Sequence, residues 1–102
     1  MSTADLSWES LLAALTANHP ITNHRLVVKR VVMADHGNTT LSGSEKTITI
    51  TVRIQDPRVM QYDSLVHEWA HARTYDHYDW HGSEWGGYMG EAYKVLEKLR
   101  DG

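Results

Sequence analysis

The sequence contains no cysteine and no phenylalanine among its 102 residues. Without cysteine, the chain has no disulfide framework, no thiolate metal site and no cysteine nucleophile. No apolar run reaches the roughly 18 residues that a membrane-spanning helix needs, so we expect no membrane contact. Acidic side chains outnumber basic ones, 13 against 10, and this balance predicts no intrinsic nucleic-acid binding.

The composition is that of an ordinary globular protein, with 41% hydrophobic and 23% charged residues. A length of 102 residues predicts one domain over 1–102. The first residues include Asp5 and Glu9 and no basic region, which does not fit a secretory signal. We therefore expect a cytoplasmic protein, in the producing cell or, for a phage-encoded chain, in its host.

Three segments have the composition or the alternation of β-strands, at about 25–34, 39–42 and 47–54. The third is the clearest, because four apolar side chains alternate with polar ones, namely Ile48, Ile50, Val52 and Ile54. The connections between the segments are short enough for hairpins, so the sequence predicts a small antiparallel three-stranded sheet.

Three further segments have helical periodicity. Apolar residues predict a first helix over about 3–17, an amphipathic helix to about Tyr75 and a last helix over about 83–100. Asp56 and Pro57 suit the N-cap and the first position of the middle helix. The fold class predicted is therefore α+β, with an N-terminal helix, the small sheet and two C-terminal helices.

The chemistry of the chain is concentrated in its seven histidines. Residues 67–71 read His-Glu-Trp-Ala-His, an H-E-x-x-H motif within the middle helix. Because residues four apart are neighbours on a helix surface, His67 and His71 can bind one metal ion. Zinc suits two imidazoles with a third protein ligand, and it lowers the pKa of a bound water to about 7. Glu68, beside the first ligand, then suits the role of general base.

Three residues compete for the third ligand position. His77 has the spacing of the H-E-x-x-H-x-x-G-x-x-H metalloproteases, but Thr74 occupies the position of the glycine. Glu91 lies on the last helix, as in zincins that take a glutamate from a following helix. His81 lies in the loop just before that helix.

Residues 81–89 read His-Gly-Ser-Glu-Trp-Gly-Gly-Tyr-Met. An H-E-x-x-H motif followed by H-G-x-x-W-x-x-x-M resembles the SprT-like metallopeptidase family, which includes the Spartan proteases. The resemblance implies a zincin-like minimal catalytic domain that binds Zn²⁺. Matched residue by residue, it implies that His67, His71 and His81 are the zinc ligands and that Glu68 is the general base.

The activity that the resemblance implies is hydrolysis of peptide bonds in a protein or peptide substrate, as a zinc endopeptidase. These 102 residues contain no cysteine for the zinc ribbon, and no basic tail, that many relatives use to reach DNA, so we do not expect the resemblance to extend to a DNA-linked substrate. Two alternatives stay open: a zinc-stabilised binding or inhibitor protein without physiological proteolysis, and an amidase that acts on something other than a protein.

Other residues near the motif have less specific signals. Tyr75, Tyr78 and Tyr88 are candidates for stabilising the oxyanion that forms during amide hydrolysis. The strand over 47–54 precedes the metal helix, and a sheet edge near the site can pair with an extended peptide. The remaining histidines, which fall near turns and strand ends, receive no role: His19, His24 and His36.

Overall fold

The computed structural model describes residues 7–22, 24–42, 44–73 and 83–101. The elements in chain order are α1 (Trp8–Asn18), β1 (Arg25–Val31), β2 (Gly37–Ser42), β3 (Thr47–Arg53), α2 (Arg58–Arg73) and α3 (Ser83–Asp101). Three helices and one three-stranded sheet confirm the predicted α+β class. No helix in this described part of the chain is long and apolar enough to cross a membrane.

The sheet is mixed rather than antiparallel. Its strand order is β1-β3-β2, with β1 parallel and β2 antiparallel to β3. The prediction of an antiparallel sheet was wrong because β3 inserts between two strands that are consecutive in sequence. For the same reason β3 is central among the three strands, and the expectation that it offers a sheet edge was also wrong.

The connection between β1 and β2 crosses the C-terminal end of β3. Side chains from that end hold the connection in place: the Gln55 amide bonds both main-chain groups of Met33, and an Arg53 guanidinium nitrogen donates to the Ala34 carbonyl at 3.2 Å. These contacts explain how five residues carry the chain past β3 without a hairpin between β1 and β2.

The core lies between one face of the sheet and the three helices. The alternation predicted for β3 is confirmed at three positions, but Ile54 is 46% exposed because the strand ends at Arg53. Trp69 of α2 donates its indole N–H to the His19 carbonyl at the end of α1, at 2.8 Å. The buried apolar residues that pack together in this core are Leu11, Leu15, Ile48, Ile50, Val52, Tyr62, Leu65, Val66, Trp69, Ala72, Ala92 and Leu96.

The helix starts differ from the predictions by a few residues. Helix α1 begins at Trp8 rather than near Thr3, because the Ser7 hydroxyl accepts the Ser10 N–H at 3.0 Å and caps the helix. The Pro57 carbonyl accepts the first helical bond of α2, so Pro57 holds the cap position predicted for Asp56.

Two predicted helix ends can be compared with the structure. Helix α2 ends at Arg73, and Tyr75 lies outside the described residues. Helix α3 runs over Ser83–Asp101, close to the predicted 83–100.

Candidate functional site

The two motif histidines face each other across one turn of α2. Their Nε2 atoms are 3.1 Å apart, and their rings meet edge to face with centroids 4.8 Å apart. His71 is only 3% exposed, whereas His67 is partly exposed. The pair therefore has one ring fixed in the core and one ring at the surface.

This separation suits a shared metal ion. Two imidazole nitrogens bound to one zinc at about 2.05 Å, with a tetrahedral angle, would be about 3.3 Å apart. The observed 3.1 Å is close to that value, and it is also within the range of an N–H···N hydrogen bond between two neutral rings. The donor chemistry and the spacing of His67 and His71 therefore fit two of the ligands of a zinc site.

No described residue stands with His67 and His71 as a third possible metal ligand. Within 7–22, 24–42, 44–73 and 83–101, no group of three or more His, Asp or Glu side chains is placed to hold a metal ion. Glu91 is exposed, pairs with Lys94 at 3.0 Å and lines a separate groove beside α1. The structure therefore does not bring Glu91 to the histidine pair. His77 and His81 lie outside the described residues.

Glu68 is buried against β2. The residue is 8% exposed, and its Oε1 atom accepts a hydrogen bond from the Thr39 hydroxyl at 2.8 Å. The other carboxylate oxygen, Oε2, is 4.0 Å from His67 Nε2. One oxygen of the carboxylate is thus held by the sheet, and the other lies toward His67.

Gly37 allows this close approach of helix and strand. A Cβ atom at position 37 would lie 3.0 Å from Glu68 Cγ and 3.2 Å from Glu68 Oε2. Such contacts are shorter than side chains ordinarily accept, so any larger residue here would displace the Glu68 side chain. The small residue at the start of β2 is therefore part of the site.

Sequence analysis missed Gly37 and Thr39 as parts of the site. Gly37 is recognisable only as a turn former and Thr39 only as a strand residue, because both contact a helix about thirty positions further along the chain. No local pattern indicates contacts of that range.

We expect Thr39→Val to destabilise the protein by about 1–2 kcal/mol, because it leaves a buried carboxylate oxygen without its donor at nearly constant volume. Thr40→Val is the matched control, since Thr40 is exposed on the same strand and should change stability by less than about 0.5 kcal/mol. Urea unfolding of the metal-free proteins measures both. Equal stabilities of the two variants would show that the hydroxyl does not hold Glu68.

An open cleft of about 570 Å³ leads to His67 and Glu68. Residues of the connection between β1 and β2, of the start of β2, of α2 and of α3 line it. The lining residues are Asp35, His36, Gly37, Met60, Asp63, Ser64, His67, Glu68 and Tyr93. The two motif residues His67 and Glu68 are thus reached through an open cleft.

One aromatic residue of this cleft was not among the candidates that the sequence suggested for stabilising the oxyanion. Tyr93 of α3 lines the cleft. Of the three predicted candidates, Tyr75, Tyr78 and the side chain of Tyr88 all lie outside what the structure describes. Tyr93 was overlooked because it follows the second motif along α3 and has no sequence pattern that links it to the site.

Comparisons with protein-family models, with curated proteins and with solved structures gave no match for this chain. The resemblance to SprT-like metallopeptidases thus rests on the motif match over about 62–96 and, more weakly, on the order of the helices and strands.

Proposed function

We propose that this chain is a zinc-dependent peptidase of the SprT-like kind, with His67, His71 and His81 as metal ligands and Glu68 as general base. The observation that carries the proposal is the convergence of two imidazoles beside a buried, oriented carboxylate at the end of an open cleft. His81 is included because the family resemblance implies that it is the third ligand.

Zinc, when bound, would polarise the scissile carbonyl and make a water more acidic. The chain's own residues would do the remaining work. Burial of His71 in the core keeps its ring in one orientation, which lowers the cost of organising the site. Glu68 would take a proton from the attacking water through Oε2, while Thr39 holds Oε1, and would then give the proton to the leaving amine.

Strand β2 offers a way to bind an extended substrate. It is an outer strand of the three, and its residues Gly37 and Thr39 touch Glu68. The His36 carbonyl accepts the Arg53 N–H. Hydrogen-bonded and non-hydrogen-bonded residue pairs alternate along an antiparallel ladder. The N–H and C=O groups of Gly37, Thr39 and Leu41 therefore point away from β3. Main-chain pairing with these groups would bind unfolded segments with little preference for side chains.

A second function is favoured by one observation. The Thr39 hydroxyl also lies 3.2 Å from the Glu68 main-chain oxygen, so Glu68 joins α2 to β2 whether or not it acts on water. A zinc-stabilised binding or inhibitor protein could keep this glutamate for packing alone. The two functions differ in whether the zinc-loaded protein cleaves peptides.

Hydrolysis by the zinc-loaded protein tests the proposal. We expect one zinc per chain, cleavage of an unfolded reporter protein, loss of cleavage when a chelator removes the metal, and recovery when zinc is returned. Atomic emission gives the stoichiometry and gel electrophoresis gives the cleavage. Zinc below about half occupancy would contradict the metal site, whereas full occupancy without cleavage would favour the binding protein.

A further inference from the structure

A second histidine in the cleft is held by a buried carboxylate. His36 Nδ1 lies 2.7 Å from Asp56 Oδ2. The His36 side chain is 60% exposed, whereas the Asp56 side chain is only 8% exposed. A ring anchored through Nδ1 presents its other nitrogen, Nε2, on the opposite edge. Sequence analysis gave this histidine no role.

Both members of the pair are fixed by the surrounding backbone. The His36 carbonyl accepts the Arg53 N–H at 2.9 Å, which joins the residue to the end of β3. The Asp56 carbonyl accepts the Gln61 amide at 2.8 Å, and Asp56 Oδ1 lies 3.6 Å from Arg53 Nε. The imidazole is therefore held by a residue, Asp56, that is itself hydrogen-bonded to α2, and its own main chain is bonded to the end of β3.

The position of the pair relates it to the candidate catalytic residues. His36 lines the same cleft as His67 and Glu68. It immediately precedes Gly37, whose Cα is close enough to Glu68 that an added Cβ would lie 3.0 Å from Glu68 Cγ. A substrate bound in the cleft would thus lie beside His67, Glu68 and His36, which all line it.

We propose that His36 is a substrate-contacting residue of this cleft, which donates a hydrogen bond from Nε2 to the oxyanion of the tetrahedral intermediate, with Asp56 as its positioning residue. With Nδ1–H bonded to Asp56, Nε2 is an acceptor in the neutral ring and a donor in the imidazolium. Donation to an anion therefore requires the imidazolium, whose charge Asp56 faces directly. The inference rests on the proposed peptidase function for the identity of the anion.

Other charged groups contribute to the field at His36. Asp35 precedes it on the same connection, Asp63 and Glu68 line the cleft from α2, and the Arg53 guanidinium lies behind Asp56. Among the residues that the structure describes, no lysine or arginine lines the cleft, whereas His36 and His67 do.

The test compares two uncleavable peptides of one sequence: a phosphonamidate, which carries a tetrahedral anion, and a neutral trans-alkene isostere. Calorimetry on the zinc-loaded protein gives Kd for each. At pH 6 we expect His36→Gln to weaken phosphonamidate binding about tenfold or more and to change alkene binding less than about twofold. Asp56→Asn should also weaken phosphonamidate binding more than alkene binding, because Asp56 positions the His36 ring.

His24→Gln is the matched control, because His24 does not line the cleft, and it should bind both peptides like the parent. An equal change for both peptides, no change, or a parent that does not prefer the anion would each overturn the role of His36. Hydrolysis is measured separately. Anion preference without hydrolysis would reject the peptidase while keeping the His36 contact, and hydrolysis with unchanged phosphonamidate binding in His36→Gln would reject the contact alone.

Discussion

Glu68→Gln is expected to lower kcat for peptide hydrolysis by about 10²- to 10⁴-fold, because the amide cannot accept the proton of the attacking water. The substitution conserves size, and the amide oxygen can still accept the Thr39 hydroxyl that now bonds Oε1. We therefore expect the variant to fold and to keep one zinc per chain. Cleavage of a fluorogenic peptide gives kcat, and atomic emission gives the metal content.

Glu97→Gln is the control for this substitution, since Glu97 is an exposed residue of α3. It removes the same charge from the chain and should leave kcat unchanged. If Glu68→Gln cleaves as fast as the parent, Glu68 is not the general base. That result would leave Glu68 with the packing role that its contact with Thr39 already gives it.

His81→Ala is expected to lower zinc affinity more than about 100-fold, whereas His77→Ala should change it less than about threefold. A directly bound ligand should cost more than the roughly 10- to 100-fold that loss of a residue supporting a ligand typically costs. Competition with a chromophoric chelator measures both affinities at a fixed pH, because ligand binding by histidine depends on its protonation.

Two further variants are the positive and the negative control for the measurement of zinc affinity. His71→Ala removes a proposed ligand whose Nε2 lies 3.1 Å from that of His67, and it should weaken zinc binding at least as much as His81→Ala. His24→Ala changes a histidine away from the cleft and should have no effect. A larger loss in His77→Ala than in His81→Ala would move the third ligand to the metzincin-like spacing. Equal small losses would reject a three-histidine site.

The residues of α2 illustrate how far sequence reasoning reached. Tyr62, Leu65, Val66, Trp69 and Ala70 recur at helical spacing, and all five are buried as that spacing predicts. This agreement has a physical cause, since a helix sets its own side-chain directions and a stripe of apolar residues can be buried in only one way. The same reasoning succeeded for Ile48, Ile50 and Val52 in β3.

Strand pairing shows where that reasoning failed. The alternation in β3 indicates a strand but does not say which strands lie beside it, and short connections favoured a hairpin that β1 and β2 do not form. The chain instead passes over the end of β3, where the side chains of Gln55 and Arg53 bond its main chain. Those bonds depend on the completed sheet and leave no periodic signal.

The sequence by itself determined the pairing of His67 with His71, because four residues of helix bring two side chains together regardless of what surrounds them. Only the tertiary structure decided what faces that pair. It set Thr39 and Gly37 against Glu68, and it joined His36 to Asp56 across twenty positions of chain. Contacts of this kind follow from strand order and from packing of helix on sheet, which are fixed by the whole core and not by any local spacing of residues.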